Sequence, residues 1–189
     1  MNVATPKTEA NMPGKGIALC ITPDEGTSYW QPLPSTGYAT VMVSPFTAPS
    51  NQLSAGIQVL EPGRFVRNHA HERNEEMLFV YEGTGTGVVD GKVYKLAPGS
   101  LIMVGRHVEH TLINEGTTQM KIFWVFTPPG LECWFEAIGK ARQPGEPMPA
   151  PFPRPDDVAE AQRRLFFVPP AKLQYDNVAQ APKPVPAAE

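Results

Sequence analysis

Proline is distributed very unevenly along this chain of 189 residues, and that distribution limits the fold more than any other feature. All of the 22 prolines except Pro98 lie before residue 63 or after residue 127. Proline has no backbone N–H group to donate, so the interior strands of a sheet exclude it. We therefore expect residues 63–127 to form the regular part of the molecule, with a proline-rich segment on each side.

Short strand patterns fill the proline-poor part and its nearest flank. Alternating or β-branched runs predict strands over residues 17–21, 38–43, 55–60, 65–71, 76–81, 88–96, 101–104, 110–114 and 118–127. Asp90-Gly91 lies between two β-branched runs and predicts a tight hairpin. Apolar spacing predicts a short helix over 131–140, and acidic residues at the start and basic residues at the end of 156–165 predict another. Many short antiparallel strands without intervening helices predict an all-β sandwich or barrel.

Composition and charge argue against several classes of protein. The chain has 16 basic and 19 acidic residues, a formal net charge of -3, and no run of Lys or Arg. Nucleic acids and anionic membranes are bound by basic surfaces, so we expect neither as a partner. Cys20 and Cys133 cannot build a disulfide framework, which favours a cytoplasmic location. No apolar stretch predicts a membrane span or a signal peptide.

All four histidines lie in the proline-poor part, and three of them form a pattern suited to a metal ion. His69 and His71 are two positions apart on a predicted strand, so both imidazoles leave the same side of it. Glu76 begins the next strand, and His110 lies on a later strand that a closed barrel could turn to the same interior. Three imidazoles and one carboxylate suit Fe(II), Mn(II), Zn(II), Ni(II) or Cu(II), with positions left open for a substrate.

The spacing around these residues resembles the two sequence motifs of the cupin superfamily. The first motif is matched at every position, by Gly63, His69, His71, Glu76 and Gly83. The second motif is matched by Gly99, His110 and Asn114. Gly105 stands where this motif usually has Pro, and His107 where it usually has Gly, so the geometry of the turn before His110 is in question.

The resemblance implies an all-β fold, the cupin double-stranded β-helix or jelly-roll barrel, with an N-terminal strand arm and short C-terminal helices. We expect an arm over 1–37, the barrel over 38–127, a helical and proline-rich extension over 128–178 and a disordered tail over 179–189. The arm and extension would cover the barrel and select its substrate. The resemblance also implies one divalent transition metal per chain, with Fe(II) or Mn(II) favoured, and a homodimer.

Three functions fit this site. The first is a dioxygenase-type oxidoreductase, similar to quercetin dioxygenase, that uses O2 on a small enol, catechol-like or aromatic substrate. Glu76 would then alternate between metal ligand and general base. The second is a non-redox isomerase, lyase or cyclase with the same ligands. The third, ranked lower, is a module that binds a small molecule without turnover.

Several residues near the motifs allow two interpretations. His107 is either a surface turn residue or a catalytic acid–base group at the mouth of the barrel. Arg67 has the parity of His69 and would either hold an anionic substrate or form a salt bridge at the rim. Trp124 and Phe126, which share one face of the last strand, are expected in the core rather than as a platform for substrate.

Overall fold

The computed structural model describes residues 18–22, 25–48 and 51–174. Residues 1–17 of the predicted arm and the predicted disordered tail over 179–189 lie outside these residues. Within them are ten strands and two short α-helices. The strands are β1 (Thr27–Trp30), β2 (Tyr38–Val43), β3 (Ser54–Leu60), β4 (Glu75–Glu82), β5 (Gly85–Val89), β6 (Lys92–Leu96), β7 (Leu101–Val104), β8 (His110–Ile113), β9 (Met120–Thr127) and β10 (Lys140–Arg142).

The strands form two antiparallel sheets, as expected for a jelly roll. The larger sheet has the order β10-β1-β2-β3-β9-β4-β7, and the smaller sheet has the order β6-β5-β8. Consecutive strands β5 and β6 are joined through Asp90 and Gly91, both with positive φ, which confirms the predicted hairpin. β1 and β10 extend the larger sheet beyond residues 38–127 on both sides in sequence.

The hydrophobic core lies between the two sheets. Burial alternates along β9, where Met120, Ile122, Trp124 and Phe126 are buried and the intervening residues are more exposed. This alternation is typical of an antiparallel strand with one face on a core. Leu112 of the smaller sheet packs into the same cluster. Trp124 and Phe126 are therefore core residues, as predicted.

The chain after β9 returns to cover one end of the sheets. Helix α1 (Cys133–Ile138) places Phe135 5.1 Å from Trp124, measured between ring centroids. Helix α2 (Val158–Arg164) leads into residues 166–168, which pair with residues 70–72. The N–H of Glu72 donates to the carbonyl of Phe166, and the N–H of Val168 to the carbonyl of Ala70. A 3-10 turn over Pro170–Lys172 follows.

Residues 65–71 do not form the regular strand that their alternation predicts. They make isolated bridges, Phe65 to Ile113, His69 to His110 and His71 to Phe167. Four residue steps separate Phe65 from His69, whereas three separate Ile113 from His110. One extra residue is therefore accommodated here, as in a β-bulge, and it interrupts both the ladder and the predicted alternation of faces.

Smaller differences also have physical causes. Residues 18–22 form no strand, and Ile17 of the predicted strand over 17–21 lies outside the described residues. The helix predicted over 131–140 is shorter because Gly139 is extended and the chain enters β10. Gly83 makes the reversal between β4 and β5 with φ +79, and a Cβ there would lie 2.4 Å from the carbonyl oxygen of Gln119. Gly85 and Gly87 lie within β5.

None of the helices in the described residues is long and apolar enough to cross a membrane.

Candidate metal centre

The four predicted ligands come together at one end of the space between the sheets. His69 and His71 lie on the bulged segment, Glu76 lies on β4 and His110 begins β8. One ligand atom from each of the four lies within 4.8 Å of the others. Their convergence follows from backbone pairing, because His69 and His110 exchange both N–H to carbonyl hydrogen bonds across the bridge, at 3.1 and 2.9 Å.

Hydrogen bonds to the backbone fix the orientation of two imidazoles. His69 Nδ1 donates to the carbonyl of Arg67 at 2.8 Å, and His110 Nδ1 donates to the carbonyl of Val108 at 3.0 Å. A carbonyl oxygen only accepts, so the Nδ1 atoms carry protons and the Nε2 atoms are the ring nitrogens left for a metal. Metal-binding histidines are commonly oriented in this way.

The contact between His110 and Glu76 is the most informative feature of the site. His110 Nε2 lies 2.9 Å from Glu76 Oε2, with both side chains buried. When Nδ1 of His110 holds the ring proton, Nε2 and the carboxylate oxygen face each other with lone pairs, and a proton or a cation must lie between them. Nδ1 of buried His71 also has no hydrogen-bond partner among the described residues. Both observations fit a bound metal ion.

Two of the histidines, His69 and His71, are held in the neutral form that binds metals. Burial, followed by the nearby rings of His110 and His71, holds the pKa of His69 well below its usual range. Burial, followed by the charge of His110, lowers the pKa of His71 to about 2. Burial disfavours an imidazolium because the charged form loses its hydration. His69 and His71 therefore do not need to lose a proton before binding a metal at neutral pH.

A small cavity adjoins the four ligands and is closed largely by the segments outside residues 38–127. Its volume is about 40 Å³, room for a few water molecules. The strands contribute Gln58, Leu78, Leu112 and Phe126 to its wall, with Val66 from the bulged segment. The flanking segments contribute Gln31, Ser35, Leu131, Trp134, Phe135, Ile138, Arg154 and Phe167.

Comparison with known proteins identifies the domain that holds this site. Residues 56–126 match the family model described as "Cupin domain". This match includes all four ligands and the strands that carry them. Residues 56–126 are therefore similar to a cupin domain.

Curated relatives match the chain over part of their length. L-ectoine synthase of Bordetella petrii is 36% identical over 66 residues, which are 33% of this chain and 49% of that protein. The protein named polyketide synthase CurC of Streptomyces cyaneus is 23% identical over 92 residues, 49% of this chain and 60% of that protein. The chain thus spans about half the length of the L-ectoine synthases it matches.

A solved structure shares the fold of this domain. The crystal structure of a predicted oxalate decarboxylase from Thermotoga maritima aligns with a TM-score of 0.51 and 19% identity, over 59% of this chain and all of that one. At this identity the likeness shows the fold alone.

Other motif residues of the cupin domain lie outside the ligand cluster. His107 is exposed on the turn before β8 with φ +63, and its backbone N–H donates to the carbonyl of His71 at 2.8 Å. Its side chain does not line the cavity. Asn114 is fully buried, and its Nδ2 donates to the carbonyls of Leu60 and Thr118 at 2.9 and 2.8 Å. It therefore secures turns of the cupin barrel.

The bulge changes which neighbour of the ligands faces the cavity. Val66 lines it, whereas the side chain of Arg67 is exposed and does not. Arg67 is two residues from His69, so a regular strand would place both side chains on the same face, toward the cavity. The extra residue in the bulge interrupts this alternation, which explains why Arg67 does not line the cavity. Arg67 also forms no salt bridge within the described part of the chain, so the predicted rim ion pair is absent there.

Several residues of the cavity wall were not predicted from the sequence, and Gln58, Arg154 and Phe167 are among them. Gln58 is a polar residue in the apolar strand β3, and this was a usable signal. Arg154 lies in a stretch of six prolines over 142–155, where no periodicity assigns a face. Phe167 reaches the ligands through a bridge to His71 that no local pattern indicates.

Proposed function

We propose that this protein is a metal-dependent enzyme that binds one divalent transition metal through His69, His71, Glu76 and His110 and acts on a small molecule. The contact of 2.9 Å between His110 Nε2 and Glu76 Oε2 carries the proposal. Two buried acceptors at this distance repel each other unless a cation or a proton lies between them. Fe(II) or Mn(II) is the favoured metal, and Zn(II), Ni(II) and Cu(II) suit the same ligands.

A bound divalent metal would supply Lewis-acid polarisation of a substrate oxygen and, if redox-active, a route for electrons to O2. Glu76 would accept a proton at a carboxylate oxygen from the carbon or hydroxyl next to that oxygen. The backbone carbonyls of Arg67 and Val108 keep His69 and His110 in one tautomer during the reaction. The aromatic wall formed by Phe126, Trp134 and Phe167 excludes water from the developing anion.

A dioxygenase-type oxidation is the first candidate reaction, with O2 as the second substrate. The apolar and aromatic wall of the cavity favours a planar enol, catechol-like or aromatic substrate. The cavity of about 40 Å³ is small, so a substrate as large as a flavonol would require Trp134 and Phe167 to move. This favours a smaller substrate than quercetin.

A non-redox isomerisation, elimination or cyclisation is the second candidate. The local match to L-ectoine synthases, proteins named as synthases, favours it. The same four ligands, with Glu76 as the base, would serve this reaction. The substrate anion formed by loss of the proton would then be converted to product without reacting with O2.

Metal analysis tests the proposed ligands directly. We expect about one metal ion per chain in the wild-type protein after loading with Fe(II), Mn(II) or Zn(II) and removal of excess. Loss of a residue that hydrogen-bonds to a metal ligand typically lowers metal affinity about 10- to 100-fold. Loss of a ligand itself should lower the affinity at least as much, so His69→Ala and His71→Ala should retain little metal. His107→Ala is the matched control and should keep its metal. Equal metal content in all four proteins would refute the assignment.

Oxygen dependence separates the two reactions. The Fe(II)- or Mn(II)-loaded enzyme is mixed with enols, catechols and diketones while O2 uptake is recorded. The Zn(II)-loaded enzyme is mixed with the same panel without O2, and products are followed by mass spectrometry. Uptake of O2 matched to product supports oxidation, whereas turnover with Zn(II) in its absence supports the non-redox reaction. Metal binding without turnover under either condition would support the binding module instead.

We also propose that the protein is a homodimer, formed through the outer face of the larger sheet. Met77 and Phe79 of β4 lie beside Met103 and Leu101 of the edge strand β7, and Phe123 of β9 lies on the other side of Phe79. All five side chains are more than a third exposed. An apolar patch next to a free sheet edge suits a second copy of the same surface.

A further inference from the structure

The wall of the cavity contains a cation without a counter-ion. Arg154 is the one Lys or Arg side chain among the described residues that line it. Its Nε is buried without a hydrogen-bond partner, and the side chain forms no ion pair within residues 18–22, 25–48 and 51–174. Glu76, the one acidic residue of the same wall, is in contact with His110 instead.

A second cation increases the positive charge at this place. Burial, followed by the charge of Arg67, lowers the pKa of Arg154 to about 10, so Arg154 is still charged at neutral pH. Arg67 has no acidic partner in the described part of the chain either. Partial burial of an arginine beside a like charge is unfavourable, and no acidic side chain among the described residues forms an ion pair with Arg154.

Packing holds Arg154 where it is. Its guanidinium carbon lies 5.4 Å from the ring centroid of Trp134, which is itself 4.7 Å from Phe167. The backbone near it is tied to the N-terminal segment, because the N–H of Leu33 donates to the carbonyl of Phe152 at 2.9 Å. The guanidinium is therefore held at the cavity by its aromatic neighbour and its backbone, with its donors unused.

We propose that Arg154 binds the carboxylate of a small organic acid, whose remaining polar atoms face the four ligands. This rests on the proposed function in assigning the reactive end of the substrate to the ligand cluster. The planar fork of a guanidinium matches a carboxylate with two parallel hydrogen bonds. The small cavity and its single guanidinium favour this group over a phosphate ester, which is larger and carries more charge.

Gln58 supplies a second polar contact for such a substrate. It lies on β3 in the wall of the cavity, it is 9% exposed, and its side chain has no hydrogen bond within the described residues. An amide in the wall of a cavity can donate one hydrogen bond and accept another. An oxygen or hydroxyl between the carboxylate and the ligand cluster would satisfy it.

Binding of matched acids and amides tests the role of Arg154. Glycolate, pyruvate and benzoate are titrated calorimetrically into the protein, each against its uncharged amide, with inorganic phosphate as a further probe. The titrations use both metal-free and Zn(II)-loaded full-length protein. A charge-assisted bidentate pair is worth roughly 1.5–3 kcal/mol, so we expect at least one acid to bind about tenfold or more tightly than its amide.

Three variants complete the test. Arg154→Met should remove the preference for the acid, and Arg154→Lys should restore part of it, because Lys keeps the charge without the fork. Arg163→Met, at an exposed arginine on α2, is the matched control and should bind as wild type does. Equal binding of acid and amide, or an unchanged preference in Arg154→Met, would overturn the proposal, as would tighter binding of phosphate than of every acid.

Failure of this proposal is distinguishable from failure of the proposed function. If no metal binds but metal-free protein still prefers acids through Arg154, the metal-dependent function is wrong and the carboxylate site stands. If metal binds through the four ligands but acids and amides bind alike, the function stands and the carboxylate site is wrong.

Discussion

His107 illustrates how one residue departs from a motif without disturbing the site. The motif usually has Gly at this position, and the structure gives His107 a φ of +63, in the left-handed region that Gly adopts without strain. Its backbone N–H still donates to the carbonyl of His71. The turn therefore keeps its conformation, and the strain is confined to one exposed residue.

Replacement of His107 by Gly separates the two interpretations of this residue. Relief of the left-handed conformation is worth about 1 kcal/mol, and it is largely offset by the greater freedom of Gly in the unfolded chain. We expect His107→Gly to keep its metal, its midpoint of urea unfolding and its turnover. Loss of turnover with metal content unchanged would instead assign His107 as an acid–base group.

At the scale of elements, the segment after α2 forms part of the site. Residues 166–168 pair with residues 70–72, and this pairing places Phe167 5.3 Å from His71 and 5.7 Å from His69, measured between ring centroids. The chain thus returns nearly 100 residues later to close the cavity. This element therefore lies over the candidate metal centre and limits the volume of the cavity beside it.

Truncation of Phe167 should open the cavity. The side chain is 6% exposed, and loss of a buried Phe costs about 3–5 kcal/mol. We expect Phe167→Ala to lower the free energy of unfolding and to speed metal release to a chelator, measured by stopped-flow absorbance. Phe167→Leu, which leaves a smaller void, should give an intermediate release rate.

A neighbouring residue controls for damage to the segment. Phe166→Ala removes a ring stacked 3.3 Å from the guanidinium carbon of Arg73, outside the cavity. Phe166→Ala should lower the free energy of unfolding less than Phe167→Ala does, and it should leave the rate of metal release unchanged. If all three variants release metal at the wild-type rate, Phe167 does not close the site.

At the scale of the whole molecule, the larger sheet has two different faces. Its inner face carries the core and three of its strands border the cavity, whereas its outer face exposes the apolar patch formed by Met77, Phe79, Leu101, Met103 and Phe123. The patch lies away from the ligands. Association through it would leave the cavity and its cover in place.

Charge within the patch should prevent the proposed dimer. A dimer buries Leu101 and Met103, and burial of an unpaired carboxylate is strongly unfavourable. We expect wild-type protein to elute as a dimer in size-exclusion chromatography with light scattering, and Leu101→Glu and Met103→Glu to elute as monomers. Val93→Glu, at an exposed position on β6 of the other sheet, should remain dimeric. A monomeric wild type would contradict the proposal.

The sequence by itself determined the fold class and the ligands. The spacing from Gly63 to Gly83 and the pair His110 and Asn114 act over short stretches, because strand periodicity and turn chemistry are local properties. The same is true of the hairpin at Asp90-Gly91. His69, His71, Glu76 and His110 could therefore be named before any coordinates were known.

Only the tertiary structure decided what surrounds the ligands. The bulge between Phe65 and His69 depends on the register with β8. It places Val66 at the cavity, where a regular strand would have placed Arg67. Gln31 donates to the carbonyl of Phe135, 104 residues away, and Arg154 and Phe167 arrive from equally distant parts of the chain. Such contacts arise from packing between segments that have no shared periodicity, so no sequence pattern encodes them. The four candidate ligands can thus be recognised from local sequence patterns, whereas the cavity wall beside them depends on contacts between distant parts of the chain.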